Sequence, residues 1–247
     1  MKNKIGWCNL TFNPVWGCKN VRGCNEYCYA RIFAKRFYKK MSDIEFEPYL
    51  HFANPEDIDN SYNVLNNRLR NFVPTFLYYK FDKKFPKKPQ KIFIGSMSEI
   101  AHWEVEWVNA VLRKIKQYPQ HIFQFLTRYP EVYYRYIFPE NCWLGVTITR
   151  EKDLERGFPY LFITSRNIIF ISIEPILEYI NPGSFSNANI DWVILGAETG
   201  KRKGKIIPKK DWIENIVNYC KCSNIPVYLK DSLKGIYPEN IKMFPQK

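Results

Sequence analysis

Cys18, Cys24 and Cys28 place three of the chain's seven thiols inside eleven residues, in the stretch GCKNVRGCNEYCYAR (17–31). Their spacing is C-x5-C-x3-C. Three thiolates leave a fourth position unfilled on a tetrahedral zinc or a four-iron cube, and an open position is what a catalytic centre needs and a structural site lacks. A small molecule with an amino and a carboxylate group, such as S-adenosylmethionine, could occupy the fourth iron. A structural zinc completed by Cys8 or a distant histidine uses the same thiols, and spacing alone leaves both open. Disulfides fit poorly, because an odd number of cysteines does not make a paired framework.

The elements that must position these thiols follow from hydrophobic patterning. Short Ile-, Val- and Phe-rich runs recur at KIFIGS (91–96), IFQFLT (122–127), CWLGVTI (142–148), NIIFISI (167–173), DWVILGA (191–197) and IPVYLK (225–230). Segments of helical character lie between them at 104–118, 130–137, 151–162 and 210–222, and a weak first strand lies near CNLTF (8–12). Strands alternating with helices imply parallel pairing through right-handed crossovers. The expected fold is α/β, a partial or full TIM-like (β/α) barrel of about seven units. Cys18, Cys24 and Cys28 then sit on the loop after the first strand, before a basic helix beginning at YARIFAKRFYKK (29–40). Residues 41–89 break the alternation and read as an insertion with one helix near 57–72. The chain is expected to be a single domain over 1–247.

In parallel α/β folds, sites gather at the carboxyl ends of strands. The residues there are Ser96, Met97, Ser98 and Glu99, then Thr127 and Arg128, Thr147 and Thr149, Glu174, Glu198 and Thr199, and Lys230 and Asp231. Glu174 stands out, because a carboxylate closing a strongly apolar strand must be paired, solvated or in contact with a ligand. Cys142 reads as a small hydrophobe. Cys220 and Cys222 should point to different faces of one helix. His51, His102 and His121 are scattered, although His102 lies close enough to GSMSE (95–99) to approach the polar ring.

Composition limits the functions available. The chain carries 37 Lys plus Arg against 24 Asp plus Glu, a net +13, with 18 Phe and 17 Tyr. The excess is concentrated at 30–40, 79–91 and 200–210, where aromatic or apolar residues interleave with Lys and Arg. Such tracts can neutralise phosphates and stack on bases, so nucleic acid is an expected partner. No apolar run approaches the roughly 20 residues of a membrane-spanning helix, and the N-terminus lacks a signal-peptide pattern, so no membrane and a cytoplasmic location are expected.

Eight blocks resemble a known family in order along almost the whole chain. They are TFNPVWGC (11–18), GCNEYCYA (23–30), IFIGSMSEIAH (92–102), PQHIFQFLTRYPE (119–131), NCWLGVTI (141–148), FISIEPIL (170–177), DWVILGAETG (191–200) and IPVYLKDS (225–232). The family is the phage-associated three-cysteine-motif proteins, a domain of unknown function similar to the radical S-adenosylmethionine superfamily. The resemblance implies a barrel of the radical SAM type, with a [4Fe–4S] cluster on Cys18, Cys24 and Cys28 and S-adenosylmethionine as cofactor. It also implies an electron donor such as flavodoxin or ferredoxin and a 5′-deoxyadenosyl radical, here expected to modify or repair a nucleic acid or nucleotide-like substrate.

The same resemblance distributes roles among the polar residues. Ser96, Ser98 and Glu99 would meet the methionine amino group, and Tyr27 and Tyr29 would pack near the adenine. Thr127, Thr147 and Glu174 complete the cofactor contacts, while Glu174, Glu198 and Lys230 would act on ribose or substrate. Two features depart from the family pattern, namely three residues rather than two between Cys24 and Cys28, and Ala197 where relatives more often carry glycine. The alternative expectation is a non-catalytic nucleic-acid-binding protein stabilised by zinc or an iron–sulfur cluster.

Overall fold

The computed structural model of the chain describes residues 5–19, 24, 27–46, 55–155, 166–186 and 188–246. Nine strands are described: β1 (Leu10–Phe12), β2 (Val15–Trp16), β3 (Thr75–Phe76), β4 (Lys91–Ile94), β5 (Ile122–Thr127), β6 (Cys142–Ile148), β7 (Ile168–Ile173), β8 (Trp192–Leu195) and β9 (Val227–Leu229). The described helices include α1 (Tyr29–Phe46), α2 (Pro55–Arg70), α3 (Tyr78–Asp82), α4 (Val105–Lys116) and α5 (Lys210–Cys222). The main sheet has the hydrogen-bonded order β1-β4-β5-β6-β7-β8-β9, while β2 and β3 form a separate antiparallel pair. The fold is therefore mixed α/β on a seven-stranded sheet, and its order follows the chain without the reversal that marks a doubly wound sheet.

The chain divides into two compact units. One comprises residues 1–10, 89–92 and 119–247, and the other 11–88 and 93–118. In the first, here the strand unit, β5 to β9 pair in parallel in sequence order. Every residue of β7 and β8 is buried. This explains why these strands read as continuous apolar runs and not as alternating ones. Trp7 packs edge-on against Phe170 and Trp192. Helix α5 buries Ile213, Ile216, Val217 and Cys220, the i, i+3, i+4, i+7 stripe of an amphipathic helix.

In the second, here the thiol unit, α1 and α2 pack together, and Trp16, Ala30, Ala34, Leu69, Phe72, Leu77 and Met97 form one buried apolar cluster. Helix α4 buries Val108, Val111, Leu112 and Ile115 on the same kind of stripe.

Several expectations change here. Residues 130–137 do not make an α-helix; a 3-10 helix covers Pro130–Tyr134, a short connector opened by proline at its first turn. Residues 41–89 hold more order than one helix, because α1 runs on to Phe46 and β3 and α3 follow α2. Of the segment 151–162, residues 151–155 are helical, and 156–162 lie outside the described residues, as does His51. No helix among the described residues is long and apolar enough to cross a membrane.

Candidate functional site

Gly17 and Cys18, where the thiol loop begins, are held by backbone bonds. Gly17 donates from its amide to Met97 O at 3.0 Å, and Cys18 donates to Phe72 O at 2.9 Å. Gly17 has φ +107, and a Cβ on it would lie 2.3 Å from Val73 O and 2.4 Å from Val73 C. Only glycine fits so close to another backbone. Gly17 also bridges in parallel to Ser98, so the GSMSE segment lies directly beside the first cysteine.

Cys24 and Cys28 are neighbours across their three-residue gap. The Cys28 thiol is lowered to about 6, first by its hydrogen bond with Cys24, then by the amides of Arg31 and Ala30 and the Arg31 charge, with burial opposing. Those amides belong to the first turn of α1, whose unsatisfied N–H groups favour an anion. Cys28 is therefore chiefly thiolate at neutral pH. Cys18 and Cys28 both pack against the apolar cluster of this unit.

The fourth nearby donor is His102. Its Nδ1 lies 3.4 Å from Cys18 Sγ and accepts from the Lys19 amide at 3.3 Å. An accepting Nδ1 puts the ring proton on Nε2. His102 reaches this place on a 3-10 helix, Ile100–His102, capped by the Glu99 carboxylate, which accepts from Ala101 N. Among the described residues no three of His, Cys, Asp or Glu are gathered closely enough to hold one metal ion. The donors stand instead as two pairs, Cys24 with Cys28 and Cys18 with His102. Their chemistry, two of the four being a thiol and a thiolate in contact, suits a thiolate-ligated iron or zinc.

The other expected residues of this unit have defined partners. Tyr29 Oη donates to Ser96 O at 2.6 Å, and Ser96 Oγ donates to Asn13 Oδ1 at 3.0 Å. Ser98 Oγ accepts from Trp103 Nε1 at 3.1 Å. Tyr27 donates its amide to Cys24 O at 3.3 Å.

In the strand unit, register decides which residues share a face. Thr147 pairs with Ser172, and Ser172 with Ile194, which pairs in turn with Tyr228. Alternation then places Thr147, Ser172, Glu174 and Lys230 on one face of the sheet. Thr127 falls on the opposite face of β5 from Gln124; it is buried, and its Oγ1 accepts from the Tyr129 amide at 2.9 Å. Ser172 and Gln124 are fully buried, with side-chain polar atoms that have no hydrogen-bond partner in the structure.

Glu174 pairs with Lys230 across the strand ends, and both side chains are largely covered, at 23% and 18% exposure. A Cβ at Gly196 would sit 3.1 Å from the Glu174 carboxyl carbon, so glycine there makes room for the carboxylate. Ala197 donates its amide to Ser232 Oγ at 3.0 Å, and it is not among the residues with positive φ, so its methyl carries no backbone strain. Glu198 is held in a bidentate pair with Arg202, at 2.7 Å for both bonds, with the carboxylate side chain 2% exposed. Both oxygens are engaged, so Glu198 positions Arg202. The sequence did not single out Arg202, because residues 198–202 are not helical and the i, i+4 spacing from Glu198 has no pairing rule outside a helix.

Lys230 also lines a cavity of about 370 Å³ with Leu229, Leu233, Lys234 and Tyr237. The remaining thiols are structural. Burial raises the Cys142 thiol far above its usual value and pushes Cys220 up to about 12. Cys220 is buried and Cys222 exposed, on different faces of α5 as their spacing requires. Cys8 is buried in the strand unit.

Sequential parallel strands and a thiolate-bearing loop after the first strand define an α/β protein with a cysteine-rich strand-end loop. The chain belongs to the family described as "Protein of unknown function (DUF5131)", whose model matches residues 2–240. No curated protein and no solved structure matches the chain.

Proposed function

We propose that this protein is a radical S-adenosylmethionine-type enzyme on a partial TIM-like barrel, acting on a nucleic acid or nucleotide-like substrate. The observation that carries the reading is the hydrogen-bonded Cys24–Cys28 pair at the start of α1, with Cys28 on the same apolar cluster that Cys18 packs against. A thiolate formed at neutral pH is ready to bind iron without a proton first being expelled. Cys18, Cys24 and Cys28 would hold a [4Fe–4S] cluster. Bound cluster and S-adenosylmethionine together would supply one electron and an adenosyl radical.

The chain's own residues bind, orient and shield. Gly17 brings the first thiol against GSMSE, so Ser96, Ser98 and Glu99 stand next to the loop that a cofactor amino group would reach. Tyr29 ties the start of α1 to that segment through Ser96 O. Tyr27 and Tyr29 flank the last cysteine as aromatic walls. In the strand unit, Glu174 and Lys230 make a cation–carboxylate pair able to orient a substrate hydroxyl or phosphate, with Thr147 and Ser172 on the same face. A reductant such as flavodoxin or ferredoxin is required.

A second reading has its own observation. His102 Nδ1 lies beside Cys18, and with the Cys24–Cys28 pair it would supply a Cys3His donor set, the composition of a closed structural zinc site. His102 would have to give up the Lys19 amide to serve.

One preparation separates the two. Anaerobic reconstitution should give about four irons and four sulfides per chain and, with reductant, 5′-deoxyadenosine from S-adenosylmethionine. His102→Gln should retain that iron. About one zinc per chain, lost together with the fold in His102→Gln, would overturn the radical reading.

A further inference from the structure

Of the basic tracts, 30–40 and the 79–88 part of the second are separate in sequence and come together in the thiol unit. The Glu45 carboxylate of α1 accepts from the amides of Tyr78 and Tyr79, at 2.7 and 3.2 Å, which fixes the start of α3 against α1. At that joint burial first, then the neighbouring Lys83, disfavour the Lys80 charge, Glu45 opposes them, and Lys40 of α1 adds a smaller repulsion.

Helix α1 turns Tyr29, Ile32, Phe33 and Phe37 outward, at 56, 52, 44 and 40% exposure. Phe33 and Phe37 lie ring to ring at 4.3 Å with a 33° tilt, and Trp16 follows at 6.1 Å from Phe33. Lys35, Arg36, Lys39 and Lys40 are exposed between and beside these rings. On α3, Tyr78 and Tyr79 are exposed, and the Lys83 ammonium stands over the Tyr79 ring at 4.6 Å.

Three carboxylates on these helices offset only part of the charge of the track, and Glu45 among them acts on Lys80. Glu45 is occupied by two amides, Asp43 accepts from Tyr62 Oη, and Asp82 faces Lys114. A second copy of the chain would set like charges against each other. An acidic protein fits a rim of cations around one apolar centre, whereas here rings and cations alternate along two helices. That alternation matches a strand in which bases and phosphates alternate. Paired bases in a duplex would not offer their faces to Phe33 and Phe37.

We propose that the α1–α3 surface binds single-stranded nucleic acid, with Phe33 and Phe37 stacking on bases and Lys35, Arg36, Lys39, Lys40 and Lys83 contacting phosphates. The proposal rests on the nucleic-acid part of the function above and not on which metal the thiols hold. Tyr29 opens α1 directly after Cys28, so a bound strand is delivered next to the thiol loop.

The test is fluorescence anisotropy with a labelled oligothymidylate and a duplex of equal length. Wild-type protein should prefer the single strand. Phe33→Leu with Phe37→Leu keeps apolar bulk and removes the rings, and should weaken single-strand binding about 30-fold. Phe33→Tyr with Phe37→Tyr should bind as the wild type does, which separates lost stacking from a damaged fold. Lys35→Gln with Arg36→Gln should lower the slope of log affinity against log salt by about 1.4, while Lys203→Gln in the third tract leaves it unchanged.

Equal affinity for duplex, or undiminished binding by the leucine pair, overturns the proposal. So does failure to bind oligonucleotide while the same residues dock flavodoxin. A protein that reconstitutes four irons and cleaves S-adenosylmethionine yet ignores oligonucleotides defeats this surface alone. One that binds strands through Phe33 and Phe37 but takes no iron defeats the radical reading alone.

Discussion

Gly17→Ala is the sharpest test of how the thiol loop is built. Gly17 sits at φ +107, outside the usual range of an L side chain, and its new methyl would lie 2.3 Å from Val73 O. The obstacle is main chain, so no rotamer change relieves it. Holding alanine in so sparsely populated a conformation costs about 1–3 kcal/mol. Moving residues 72–73 away also breaks the Cys18 amide bond to Phe72 O, worth about 1 kcal/mol. The expected loss is therefore about 2–4 kcal/mol, read by urea unfolding of metal-free protein as a lower midpoint at unchanged slope. Gly204→Ala is the control: φ is +72 there, but nothing lies within 4 Å of the added carbon, so only the left-handed backbone penalty of about 1–2 kcal/mol applies. If Gly17→Ala costs no more than Gly204→Ala, the collision with Val73 does not exist and the placement of Cys18 argued above is wrong.

Alkylation of metal-free protein by iodoacetamide should modify Cys28 with a pH midpoint near 6, and Cys24→Ala, which removes the side-chain donor, should move that midpoint upward, because the Cys24 bond is the largest cause of the shift. The folded pKa is depressed, so the stability this thiolate contributes is present above the usual thiol value and is lost as pH falls through 6. Lys230→Met and Glu174→Gln should each destabilise by about 1–3 kcal/mol, less than a fully buried pair because some solvent reaches both, and the double variant should cost less than the sum in a urea double-mutant cycle. Gly145→Ala should cost about 1–3 kcal/mol by overpacking, since its Cβ would meet the Phe170 ring at 2.2 Å, and Phe170→Leu should recover part of that loss in thermal unfolding.

Hydrophobic runs and their spacing determined the elements. Strands at 122–127 and 142–148 and a helix at 210–222 lie where the pattern puts them, because period and burial are local properties of a chain. The three thiols on the loop before a basic helix were legible for the same reason. The short pair β2 and β3 was not, since two residues carry no period and Val15 and Phe76 lie 61 residues apart in the chain.

Tertiary structure alone decided the partnerships: His102 beside Cys18, 84 residues away; Lys230 on Glu174, 56 residues away; and Lys40 beside Lys80. It also turned Thr127 away from the face that Thr147 and Glu174 share, which depends on strand register and not on residue type. Residue types record which chemistry is available, whereas packing between distant segments sets which groups come within bonding distance, and that distance fixes charge, proton position and access.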